Sequence, residues 1–178
     1  MSKPGPALPV KPVVSLILAR KDLDQAVIQR LSAYFGPPDL VSPWWPFTAT
    51  TYYSPEMGDD LGRRFVAFLH LASPALLPDW KVLTNGLEAQ FSLGGRRLVN
   101  LDPGYVARER LVLATGKNYS HRLYLDQGIY GDLALIYAKG EFQPLPWSYP
   151  DYAAGPLLDL VDLVRRKYLW QLKAQSGP

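Results

Sequence analysis

The chain contains no cysteine among its 178 residues. That excludes disulfides and thiolate metal sites, and it fits a reducing compartment. Histidine is nearly as scarce, with only His70 and His121. So few imidazoles and no thiols argue against a zinc centre, and no metal ligand set is assigned. An oxygen-ligated magnesium site using Asp102 and Asp132 stays open on donor chemistry alone. No stretch approaches the roughly 18 uninterrupted apolar residues of a spanning helix. The N-terminus also lacks the apolar run of a signal peptide. These absences lead us to expect a soluble cytoplasmic protein with no membrane partner. Glycine-rich phosphate loops and the Gly-x-Ser-x-Gly elbow are missing as well, so no Rossmann, P-loop or hydrolase motif is claimed.

Charge is close to balanced, at 19 basic and 16 acidic side chains, net +3. That small excess permits an anionic ligand without demanding nucleic acid. Apolar residues make up 48% of the chain, enough at this length for one domain with a real core. Proline (17), tyrosine (11) and tryptophan (5) are plentiful. Prolines flank aromatics at Pro43-Trp44-Trp45-Pro46 and at Pro146-Trp147-Ser148-Tyr149-Pro150, which predicts rigid non-helical loops.

Residues 1–12 are rich in proline, glycine and lysine, and read as a disordered lead-in to a single domain over 13–174. The apolar run Val13–Ala19 predicts a buried strand. Asp22, with Gln25 three residues on, predicts a capped helix stopped by Gly36-Pro37-Pro38. Strands are expected near Leu40–Ser42 and over Arg64–Leu69, then a helix from about Asp79 to Ser92, then a strand over Arg97–Leu101. The order β-α-β-β-α-β is that of ferredoxin-like sandwiches, so the predicted class is α+β with a ferredoxin-like core. Further strands are expected at Leu111–Ala114, His121–Leu125 and Tyr130–Tyr137, with an Asp126-Gln127-Gly128 hairpin turn. Leu157, Leu160, Val161, Val164, Tyr168 and Leu172 form the apolar stripe of a long helix over about Pro156–Ala174.

Two polar stretches stand out between apolar segments. Asn100-Leu101-Asp102-Pro103-Gly104-Tyr105 should close the fourth strand in a turn, offering Asp102 as an acid–base group and Tyr105 as a ligand contact. Lys117, His121 and Arg122 cluster around the next turn and suit an anionic group, with His121 as a second acid–base candidate. In a strand His121 and Arg122 point to opposite faces. Asp132 interrupts an apolar strand; exposure on an edge strand is the commoner reading, but facing inward it needs a partner, for which Arg122, Lys117 or a metal are the candidates. Trp147 and Tyr149, held by their prolines, should shape a pocket wall.

The segments YYSPEMG, RRFVAF, VNLDPGY, LVLATGKNYSHRLYL, GIYGDLALIY and PLPWSYPDY, in this order, resemble the prokaryotic domain-of-unknown-function family 4416. The resemblance covers roughly residues 11–173 and implies a small cytoplasmic protein with no assigned reaction. It also implies an acid where Thr51 stands and Glu where Asp132 stands.

The leading reading is a polar pocket that binds or processes an anionic small molecule, such as a nucleotide or phosphorylated metabolite. The alternative is a non-enzymatic interaction module using the aromatic and proline-rich loops around Trp44, Trp45 and Trp147. Nucleic-acid binding ranks third, because the first strand has no stacking aromatic. The residues leave catalysis open and assign no cofactor and no oligomeric state.

Overall fold

The computed structural model describes residues 1, 3–153 and 155–175. In chain order its elements begin with β1 (Lys11–Leu18), a 3₁₀ turn (Lys21–Leu23), α1 (Asp24–Phe35), β2 (Pro38–Val41), β3 (Trp45–Pro46) and α2 (Ser54–Met57). Next come β4 (Gly62–Phe68), a second 3₁₀ turn (Pro74–Leu76), α3 (Leu77–Gln90), β5 (Ser92–Leu93), β6 (Arg96–Arg97) and β7 (Val99–Val106). The chain continues through β8 (Arg110–Thr115), β9 (Arg122–Asp126), β10 (Ile129–Ala138), β11 (Glu141–Pro144) and α4 (Gly155–Gln175). The fold is α+β. A nine-stranded sheet runs in the order β11-β10-β8-β7-β1-β4-β2, with β3 added beside β4 and β9 beside β10. Every pairing in it is antiparallel.

The sheet carries apolar layers on both faces, which is why its central strands read as unbroken hydrophobic runs. On one face Val14, Leu16 and Leu18 of β1 meet Val27 and Leu31 of α1 and Leu77 and Leu87 of α3. On the other, Val13 and Phe65 meet Val161 and Val164 of α4. The stripe predicted for α4 is therefore buried where it meets the sheet. α4 covers only part of that second face. A smaller cluster of Ile17, Phe47, Met57 and Leu61 anchors the segment around α2 over another part. The cavity described below opens between them.

Several local expectations are corrected. Asp22 does not cap α1. It sits in the 3₁₀ turn and pairs with Arg20 instead, and α1 starts without a side-chain cap. β1 starts at Lys11, inside the segment expected as lead-in. The Lys11 ammonium is wholly buried, and its three donors meet three acceptors: Asp39 Oδ2 at 2.8 Å, the Phe68 carbonyl at 2.8 Å and Gln171 Oε1 at 2.9 Å. β11 was not foreseen. It follows a tight turn in which Lys139 and Gly140 both take positive φ, and it closes the sheet edge beside β10.

The largest correction concerns Asp102-Pro103-Gly104. These residues do not turn; β7 runs straight through them to Val106. β7 pairs with β1 along its whole length, but with β8 only over Gly104–Val106. Before Gly104 the two strands diverge and the sheet forks. The Leu101 N–H points into the fork, so the Pro103 nitrogen, two residues on, faces the same way. No strand there needs the N–H that proline lacks. Where the fork closes, a Cβ on Gly104 would lie 2.3 Å from the Val112 carbonyl oxygen, so only glycine permits that approach.

Candidate functional site

α3 packs across β7, β8 and β10 and fills the fork. Lys81 and Glu88 lie two turns apart on it and replace the missing strand. Lys81 Nζ donates to the Leu101 carbonyl at 2.8 Å, and the Leu101 N–H donates to Glu88 Oε1 at 2.8 Å. Glu88 Oε2 also takes a bond from Arg97 Nη1 at 2.8 Å, and Arg97 holds Glu56 of α2 through Nε and Nη2, both at 2.7 Å. The Arg97 guanidinium holds the Glu56 carboxyl below its ordinary value. This chain of ion pairs ties the α2 segment to the fork.

Above the fork lies a cavity of about 680 Å³. Its floor is β1, β4, β7 and β8. One wall is the segment from Phe47 to Tyr53, another is the loop from Gly116 to Tyr119, and a third is Tyr149–Tyr152. Five cationic side chains (Arg63, Lys81, Arg97, Lys117, Arg122) and four carboxylates (Glu88, Asp102, Asp132, Asp151) line it, beside five tyrosines. Ionisable groups converging on a cleft mark it as the candidate functional site.

Most of that charge is neutralised internally. Arg63 pairs with Asp151, donates to Ser15 Oγ from Nη2 at 2.9 Å, and lies over the Tyr152 ring at 4.5 Å. Arg122 is buried, and its Nε meets Asp132 Oδ2 at 2.8 Å. Its other nitrogens donate to the Lys117 carbonyl and the Tyr149 hydroxyl, each at 3.2 Å. Asp102 accepts from Lys81 Nζ on Oδ1 at 3.3 Å and from Asn100 Nδ2 on Oδ2 at 2.8 Å. Lys117 makes no ion pair among the described residues; its ammonium lies 4.1 Å from the centre of the Tyr52 ring. Burial pushes the Tyr53 hydroxyl well above the ordinary tyrosine value, and the nearby Asp102 charge adds to the shift. Tyr152 is raised by burial too, against an opposing pull from Arg63. Both phenols therefore stay neutral at working pH.

Of the residues singled out in the sequence, Asp102, Lys117, Arg122, Asp132 and Tyr149 line this one cavity. His121 and Trp147 lie outside the lining. Their rings stack at 5.2 Å, His121 Nε2 is 3.9 Å from Asp132 Oδ1, and Trp147 Nε1 donates to the Leu133 carbonyl at 2.9 Å. Tyr105 is not brought in at all. It packs on the opposite face of the sheet, because alternation along β7 turns it away from Asp102. Sequence reasoning passed over Lys81, Asn85 and Glu88 on α3. Their signal was legible: they recur at helical spacing one residue behind the apolar stripe of Trp80 and Leu87. Arg63, Arg97 and the tyrosines on the 50s loop carried no comparable pattern. Among the described residues, no group of three or more His, Asp or Glu side chains is placed to hold a metal ion. No helix among them is long and apolar enough to cross a membrane.

The chain matches the family described as Domain of unknown function (DUF4416) over residues 8–168. It belongs to that family. The match takes in all of the fold from β1 to most of α4, and so the whole cavity. No curated protein and no solved structure matches the chain.

Proposed function

We propose that the cavity binds an anionic small molecule, a nucleotide or phosphorylated metabolite, with Lys117 as its anion contact. The observation that carries this reading is the pairing pattern. Among the described residues, Lys117 is the one cavity cation without a carboxylate partner. It stands at the mouth, where a ligand can reach it without breaking an ion pair. A charge-assisted bond there is worth about 1.5–3 kcal/mol. The tyrosine walls add planar apolar surface beside it. If the cavity also catalyses, Asp102 is the proton acceptor that faces the bound molecule, and Lys117 and Arg122 oppose developing negative charge. The Trp-Pro loops give a partner-binding surface less support, because Trp44 packs with one core layer and Trp45 with the other.

The same proposal takes the core as ferredoxin-like and the protein as prokaryotic and cytoplasmic. The order β7-β1-β4-β2, with α1 and α3 both on one face, supports the first of these. Mass spectrometry of molecules that co-purify with the native protein tests the ligand. An anionic compound should be retained by the parent and lost from Lys117→Ala. A Lys117→Ala protein that retains as much of it overturns the reading.

A further inference from the structure

We infer that Asp102 is the specificity-determining acceptor of the cavity. It selects ligands that carry hydroxyl or amino donors, so that phosphorylated sugars and nucleotides bind in preference to simple anions. This deepens the reading just given and rests on it for the anionic end of the ligand.

Of the four cavity carboxylates, Asp102 is the most open. Its side chain is 29% exposed, against 7% for Glu88, 8% for Asp132 and 17% for Asp151. The fork produces this opening. Divergence of β8 leaves Asp102 on a strand in mid-sheet with space above it. The carboxylate is also pinned. Lys81 holds Oδ1 and is itself fixed by the Leu101 carbonyl, while Asn100 holds Oδ2 and is oriented by Arg97 Nη1, which donates to Asn100 Oδ1 at 3.3 Å. Each oxygen has one protein donor and keeps acceptor capacity for another. An ammonium on one side and an amide NH₂ on the other suit an acceptor waiting for a donor. They do not suit a metal ion, which both would repel. Asn85 lines the same space with no hydrogen bond among the described residues.

The selection follows from charge. A bare oxyanion brought to Asp102 meets a like charge and leaves the carboxylate unanswered. A hydroxyl or amine forms a charge-assisted bond there, a difference of about tenfold or more in affinity. The cavity, at about 680 Å³, is far larger than one phosphate and lies within the usual range for small-molecule sites.

Ligand-observed NMR on the whole protein with three probes tests this: inorganic phosphate, ribose and ribose 5-phosphate. The parent should bind ribose 5-phosphate at least about tenfold tighter than phosphate. Asp102→Asn should remove most of that preference by weakening ribose 5-phosphate, while phosphate, freed of a like charge, binds as tightly as in the parent or more tightly. Asn100→Ala, which unpins the carboxylate but keeps its charge, should reduce the preference in part. A preference unchanged in Asp102→Asn overturns the inference, as does a parent that prefers none of the probes. Lys117→Ala separates the two readings. Loss of phosphate-dependent affinity in that variant supports the anion site whatever Asp102 does. If Lys117→Ala has no effect while Asp102→Asn abolishes ribose binding, the anion reading falls and the acceptor role stands. Binding of none of the three overturns both.

Discussion

Lys81 Nζ donates to the carbonyl oxygen of Leu101 at 2.8 Å, satisfying a strand acceptor that no neighbouring strand reaches. With Glu88 taking the Leu101 N–H, a helix completes the hydrogen bonding of a sheet that has split. The split creates the cavity, and the residues that repair it also line it. Stability and the lining of the cavity are thus coupled through α3.

Glu88→Ala should therefore be costly for a single side chain. It orphans the buried Leu101 N–H and takes a carboxylate from both Lys81 and Arg97. We expect a loss of about 3 kcal/mol in urea denaturation. Glu88→Gln keeps an acceptor for the N–H and should lose less. Equal losses for the two variants would show that the backbone bond contributes little.

Gly104→Ala tests the point where the fork closes. The new Cβ would meet the Val112 carbonyl oxygen at 2.3 Å and the Leu113 Cα at 3.2 Å, and backbone cannot step aside as a flexible side chain can. We expect a cost of at least about 1–3 kcal/mol. Hydrogen exchange should quicken at β7 and β8 before the rest of the sheet. Parental exchange there would mean that the strands part without penalty.

The sequence carried the element types well because periodicity reports burial. The apolar run of β1 and the stripe on α4 each have one physical reading, and both elements form. What it could not carry was the fork. Asp102-Pro103-Gly104 is good turn chemistry, and it stays extended because it pairs with β1, far earlier in the chain, while the next strand, β8, diverges from it. The site divides along the same line. Arg122 was among the partners legible for Asp132, but the buried pairing across β9 and β10 that selects it over Lys117 or edge exposure was not. Arg97 gripping Glu56, 41 residues away, was not, since nothing local marks such a pair. Tyr105 was misplaced with the turn, because a strand sends it to the far face.

Alkaline pH should destabilise the protein through its buried phenols. Burial raises Tyr53, Tyr105, Tyr152 and Tyr168 above the ordinary value of 10.0. In the unfolded chain these groups release their protons near 10, while the native state keeps them. The native state then binds more protons, so stability falls as pH rises past about 10. The urea midpoint should drop between about pH 9 and pH 11. Tyrosinate absorbance of the native protein should show fewer than the full 11 tyrosines titrating before unfolding. All of them ionising together near the ordinary value would contradict the burial seen here.

Asp132 should act on Lys117 through Arg122. The carboxylate holds Arg122 Nε at 2.8 Å, and Arg122 Nη1 holds the Lys117 carbonyl at 3.2 Å, so one buried pair fixes the backbone of the residue proposed to meet the anion. Asp132→Ala leaves the guanidinium buried without its carboxylate, at a cost of about 3–5 kcal/mol. It should also release the loop from Gly116 to Tyr119, and amide exchange there should rise by more than in the core of β10. Anion affinity should fall although Asp132 is itself negative, the reverse of what simple charge removal gives. Asp132→Glu restores the charge with a longer reach and should recover most of the stability and part of the binding. An Asp132→Ala protein that binds the anion more tightly than the parent would show that the carboxylate acts as a repelling charge, with no role in holding Lys117 in place.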